Sequence, residues 1–276
     1  MTKCDNIYPM LEKFLYKTLK RPPKLFVRYD IRPKNEKITI VFLHGIAVDA
    51  RFWCNTISKI ENIKAFNHTR IIALDLLGEG NSPAPDWLEY TMNDHVGAIK
   101  KTLRKLRIVT PLIIVGHSMG GILATNYAMN NKVDKLMLVC TPLMPAVTDR
   151  NFLDKFNKMS IKMIGNLATK NPALYTTAKL MHALSVRKSY DVNKNAFRKT
   201  LKNVVMETDS LANIQKLSIP IYLLRGMGDV FTNPVNYHEL SKRKNISVWE
   251  VPLSGHQIRG PLMTAVLKRL SGIIRG

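Results

Sequence analysis

The chain has 276 residues, 46% of them hydrophobic and 22% charged, enough to bury one sizeable core and incompatible with a disordered polymer. Its 42 Lys and Arg against 20 Asp and Glu give a formal charge of +22, yet no run of five or six like charges and no nucleic-acid motif accompanies it. A solvated basic surface is therefore expected, with no nucleic acid as partner, and the absence of an apolar run near the roughly 18 residues of a bilayer span excludes a transmembrane helix.

Cys4, Cys54 and Cys140 lie far apart without a Cys-x-x-Cys pair, which suits a reducing compartment and offers neither a disulfide framework nor a zinc site. The first 21 residues lack an uninterrupted apolar segment of signal-peptide length, so a cytoplasmic location is expected. In that stretch Ile7, Leu11, Phe14, Leu15 and Leu19 recur at helical spacing, with Lys13, Lys17, Lys20 and Arg21 elsewhere on the turn. A basic amphipathic helix over residues 1–24 results, expected to pack on its own domain, with peripheral contact to an anionic membrane surface as the alternative. Pro22-Pro23 ends it.

Downstream, apolar strands alternate with helices. Leu25–Ile31 reads as an edge strand, and Ile38–Leu43 as a buried strand running into His44-Gly45. Arg51–Ile63 reads as a crossover helix with Phe52, Trp53, Ile57 and Ile60 inward. Ile71–Leu74 is a strand followed by the Asp75–Ser82 loop with Gly78-Glu79-Gly80-Asn81-Ser82, and Thr91–Leu106 is a second helix with Val96, Ile99, Leu103 and Leu106 inward. Leu112–Val115 is a further strand. After it, Gly116-His117-Ser118-Met119-Gly120 reverses the chain into a helix carrying Ile122, Leu123, Tyr127 and Ala128. A serine flanked by glycines on so sharp a strand-to-helix turn is held out at the top of a sheet, and Ser118 is a candidate nucleophile. Leu136–Val139 is the next strand. From Pro142 to about Leu217 the rhythm stops: Phe152, Phe156, Met159, Met163 and Leu167, then Leu174, Leu180, Met181 and Leu184, recur every three to four residues, predicting a helical insertion. Ile221–Gly226 and Ile246–Val251 resume the strands. Such alternation predicts an α/β fold with a mostly parallel sheet covered on both faces.

A serine hydroxyl needs a base to take its proton and a third group to orient that base. Asp229 follows the strand ending at Gly226, before a loop broken by Pro234, and His256 follows the last strand. Asp75 is a rival acid placed before the candidate nucleophile, while Cys140-Thr141-Pro142 offers no carboxylate. His68, His95, His182 and His238 lack an acid-base setting, and no His-x-x-x-His pair suggests a metal.

The chain order Ser118, Asp229, His256 and the elbow around Ser118 resemble the α/β-hydrolase superfamily, from about Lys37 to the C-terminus. The resemblance implies an α/β-hydrolase core over residues 25–141 and 218–276, with a helical cap at 142–217 that shapes the substrate pocket. It also implies structural roles for His44 and His117, an oxyanion hole from the backbone N–H groups of Ile46 and Met119, and loop architecture for the segment from Asp75 to Ser82. The expected activity is serine hydrolysis of a carboxylic ester or thioester with a small to medium apolar acyl group, a small-molecule substrate, with no cofactor and no metal. C–C bond hydrolysis or lyase chemistry on the same fold, or a slow-turnover ligand sensor, are the alternatives.

Overall fold

A computed structural model describes Phe14, Tyr16, Thr18, residues 22–146 and residues 193–275. Seven strands organise it: β1 (Val27–Ile31), β2 (Ile38–Leu43), β3 (Thr69–Leu74), β4 (Leu112–His117), β5 (Lys135–Val139), β6 (Ile221–Gly226) and β7 (Ile246–Val251). Their spatial order is β1-β3-β2-β4-β5-β6-β7, with β1 antiparallel to β3 and every other pairing parallel. The helices are α1 (Cys54–Glu61), α2 (Met92–Lys105), α3 (Met119–Asn130), α4 (Lys194–Thr200), α5 (Ser210–Gln215), α6 (Pro234–Ser241) and α7 (Gly260–Ile273).

Side chains alternate across each central strand, and both faces are buried. Val41, Leu43, Ile72, Leu74, Ile114, Leu136 and Leu138 join one apolar layer with residues of α2, α3 and α5. Their neighbours Ile40, Phe42, Ile71, Ala73, Ile113, Val115, Met137 and Val139 join the other with α1 and α7. Dry faces on both sides are why these strands read as unbroken apolar runs rather than as alternating ones. Local signals set the helix ends. Thr91 and Asp94 form a reciprocal capping box at α2, satisfying two backbone donors that the first turn leaves open.

Three expectations are corrected. The predicted helix over Arg51–Ile63 is a 3-10 turn at Ala50–Trp53 followed by α1, because the Asp49 side chain caps the tighter turn through Arg51 N–H. This leaves Trp53, Ile57 and Ile60 in the core but Phe52 only half-buried. Pro234, read as a loop breaker, begins α6, where its missing N–H is no loss and Asn233 caps the helix. In the N-terminal segment Phe14, placed on the apolar face by spacing, is exposed, while Tyr16 packs on Trp87 with ring centroids 5.1 Å apart.

Of the insertion at 142–217, the described part from Lys194 is helical: α4, a six-residue π-helical stretch at Leu201–Met206, and α5. The Phe152–Leu184 pattern lies outside the described residues.

Helix α7, not read from the sequence, places Leu262, Met263, Val266, Leu270 and Ile273 in the second apolar layer, against β6, β7 and α1. Replacing the fully buried Leu270 by alanine should cost about 2–5 kcal/mol in denaturant unfolding. A loss under about 1 kcal/mol would show that α7 does not complete this core.

Candidate active site

The parallel strands all present their C-terminal ends at one rim, and the order of strands reverses between β2 and β4, where a crevice opens. At that rim Ser118 links β4 to α3 with φ 52° and ψ −123°, a left-handed conformation costly for a residue with a Cβ. The neighbours make the turn possible. A Cβ on Gly120 would strike the Leu43 carbonyl oxygen, one on Gly121 would strike the Thr141 hydroxyl, and one on Gly116 would lie 2.5 Å from Gly121 Cα. The first turn of α3 thus sits directly on β2, β4 and the loop after β5, closer than any side chain permits.

Asp229 and His256 meet on the same rim. Gly226 and Gly228 let the loop after β6 run against the loop after β7: Gly228 N–H donates to Ser254 O at 2.9 Å, and a Cβ on Gly226 would collide with that same carbonyl. Asp229 is buried, and its carboxylate lies 3.0 and 3.1 Å from His256 Nδ1. It also accepts from Phe231 N–H at 2.9 Å. Burial alone would raise the Asp229 pKa, but the His256 hydrogen bond and charge and the Phe231 N–H hold it below the usual carboxylate range. Asp75, the rival acid, is fully occupied: it accepts from Arg28 Nε and Nη2 at 2.9 and 2.6 Å, Ala50 N–H at 3.0 Å and Asn81 N–H at 2.9 Å.

Ser118 and His256 line one cavity of about 490 Å³, walled by Phe52, Met144, Phe197, Leu201, Met206 and Phe231. No hydrogen bond among the described residues links the Ser118 hydroxyl to His256. Ile46 lines the cavity too, Met119 follows Ser118, and neither backbone N–H donates to another described residue. Two N–H groups without partners beside a serine can accept a developing negative oxygen.

The buried histidines at 44, 95 and 117 are held by hydrogen bonds. His117 Nε2 donates to His256 O at 2.8 Å, holding the loop that carries His256, and its ring stacks on Phe52 at 4.4 Å. Burial and the neighbouring His256 lower its pKa to about 3, so it stays neutral. His44 Nε2 accepts from Leu76 N–H at 2.9 Å while Nδ1 donates to Gly45 O at 2.7 Å, and burial lowers its pKa to about 4. His95 pairs with Thr200 at 3.1 Å. Among the described residues one group has metal-ligand potential: Cys140, Asp229 and His256, with ligand atoms within 4.8 Å of one another. Burial pushes the Cys140 thiol far up, so it stays protonated, and His256 Nδ1 is already taken by Asp229.

A model of the alpha/beta hydrolase fold family matches residues 38–258, from β2 to just past His256. The chain belongs to that family. This α/β-hydrolase is similar to the probable lysophospholipase BODYGUARD 4 of Arabidopsis thaliana, 32% identical over 129 residues that make up 46% of this chain and 30% of that protein. It is also similar to protein phosphatase methylesterase 1 of Bos taurus, 30% identical over 129 residues, or 45% of this chain and 31% of that protein. The chain spans about a third of the length of these curated relatives. In fold it is similar to the enol-lactonase from Burkholderia xenovorans LB400, with a TM-score of 0.70 at 18% identity over 91% of this chain and 96% of that one. The esterase EaEST from Exiguobacterium antarcticum gives 0.67 at 18% identity over 92% and 96%.

Sequence reasoning placed Ser118, Asp229 and His256 at strand ends but missed the walls contributed by Phe52, Phe231 and Met206, since an apolar residue facing a cavity and one facing the core look alike in a periodic pattern. In this α/β-hydrolase the acid-facing loop predicts a pH effect. Because the Asp229 pKa is lowered on folding, its contribution to stability is present above the unfolded value near 3.8 and is lost as pH falls through the folded one. Asp229→Asn should therefore flatten the decline of the thermal midpoint on acidification below that value; an unchanged acid limb would exclude the coupling.

Proposed function

We propose that this α/β-hydrolase is a serine esterase or thioesterase acting on a small to medium apolar acyl substrate. The observation that carries the reading is an imidazole oriented by a buried carboxylate in the same apolar cavity as a serine on a strained strand-to-helix turn. His256 takes the Ser118 proton at Nε2 as Oγ attacks the acyl carbonyl. Asp229 keeps Nδ1 protonated and stabilises the imidazolium, so the base is presented in one tautomer. The Ile46 and Met119 N–H groups receive the tetrahedral oxygen, where one such donor accounts for roughly 3 kcal/mol of barrier. His256 then returns the proton to the leaving oxygen or sulfur, and water repeats the sequence to release the acid. In resting active sites the serine–histidine contact is often long and shortens around substrate.

The cavity chemistry supports an apolar acyl group. Its walls are aromatic and aliphatic, with no lysine, arginine or carboxylate among the described lining residues to bind a charged acyl chain. The two sequence relatives, a probable lysophospholipase and a methylesterase, are both named for ester cleavage, which favours the oxygen ester.

Ser118→Ala should lower hydrolysis of p-nitrophenyl esters by about a thousandfold or more and abolish labelling by a fluorophosphonate probe, with the far-UV circular dichroism unchanged. Turnover at the native rate in that variant would refute the assignment. A series of esters and thioesters of increasing acyl length should then show an optimum set by the cavity; indifference to length would exclude the cavity as the acyl site.

A further inference from the structure

Glu79 stands between the two glycines of the loop after β3, and its side chain is buried beside the loop that carries Ile46. Its Oε1 accepts from Ala47 N–H at 2.6 Å, while Oε2 has no hydrogen-bond partner and lies 3.5 Å from His44 Nδ1. Ala47 itself has φ 62°, a left-handed conformation that a non-glycine residue keeps only under external restraint. Two adjacent peptide units are therefore fixed by side chains. His44 Nδ1 holds the carbonyl of the Gly45–Ile46 unit, whose N–H is the candidate oxyanion donor, and Glu79 holds the N–H of the next unit.

We propose that Glu79 is a positioning residue of the active site, whose side chain locks the Ile46–Ala47 peptide and so aims the Ile46 N–H at the developing oxyanion. The inference rests on the oxyanion role proposed for Ile46. The groups around Glu79 favour its uncharged form. His44 faces it from the end of β2, neutral through its own hydrogen bonds. Asp49 and Asp75 add like charge from the loop before α1 and the end of β3, while Arg28 is committed to Asp75 at 2.6 Å and Arg51 to Asp49 at 2.7 Å. Burial first, and then these two carboxylates, raise the Glu79 pKa well above its ordinary range against the opposing Ala47 hydrogen bond. A carboxylate there would place negative charge behind the very donor that must stabilise an anion.

The test compares wild type, Glu79→Gln, Glu79→Ala and Ser118→Ala on one p-nitrophenyl ester from about pH 5 to about pH 10, together with thermal unfolding over the same range. Glutamine keeps an acceptor for Ala47 N–H without a titrating group, so E79Q should retain kcat within about twofold at neutral pH. It should also lose an alkaline decline that wild type shows. E79A should lower kcat about tenfold or more with little change in KM, as misaligned catalytic groups do. The stability sign is fixed: a raised folded pKa means the native state holds more protons than the unfolded one above the unfolded value of 4.5, so stability falls as pH rises. The thermal midpoint of E79Q should accordingly gain on wild type with increasing pH, a readout that survives if E79A does not fold. Native kcat in E79A, loss of activity in E79Q equal to that in E79A, or an identical alkaline limb in wild type and E79Q would each overturn the inference. Inactivity of S118A beside a native E79A would remove Glu79 and leave the serine mechanism standing; an active S118A would remove both.

Discussion

The packing of one helical turn against two strands and the loop after a third governs this molecule. Where α3 leaves β4, glycine at 116 and 120 brings backbone onto backbone and glycine at 121 lies against the Thr141 side chain, with no space for a single carbon. That closeness holds Ser118 in a backbone conformation it would not adopt alone, and the stiff sheet around it carries the strain. Everything else at the rim is placed relative to this turn. The loop after β2 crosses above it, the loops after β6 and β7 meet opposite it, and the helical stretch at Leu201–Met206 closes over it. A wider turn, hydrogen-bonded from residue i to residue i+5, is rare in helices and tends to occur at sites of function. Here it lets Leu201, Val205 and Met206 all contribute to the cavity.

Around the rim the histidines and acids divide into those kept neutral and one pair left polar. His44, His95 and His117 are buried and lowered toward the acid range, so their hydrogen bonds serve geometry and their charge does not change with ordinary pH. The Asp229 carboxylate is held below its usual range because His256 Nδ1 and the Phe231 N–H offset burial. The difference lies in partners rather than depth, since Glu79 is comparably buried with one donor and moves the other way.

Much of this was legible in the chain. The six strands from Ile38 onward and the crossover helix beginning at Thr91 stand where the apolar runs predicted, because parallel strands covered on both faces leave an unambiguous pattern. The strand-end positions of Ser118, Asp229 and His256 were equally clear, whereas the bond from His256 to Asp229 depends on two glycines allowing loops to touch, which no periodicity reveals. The signals for α6 and α7 were present in Asn233-Pro234 and in the spacing of Leu262, Val266, Leu270 and Ile273, but a proline was weighed as a breaker rather than as a first helical residue. Glu79 was hidden for a different reason. A charged residue between glycines looks like a solvated loop until the fold closes over it.

The two outer strands carry one further consequence. On β1, Asp30 is shared by Arg32 and the buried Arg70, and the register with β3 slips between Val27 and Tyr29. On β7, Glu250 pairs with Arg225, and Trp249 lies under Arg269 at 4.4 Å. Ion pairs and an irregular register make poor templates for an incoming extended peptide. A sheet this apolar in its middle is thus fenced at both margins against fibrous self-association, and the high positive charge of the chain adds repulsion between copies to the same end.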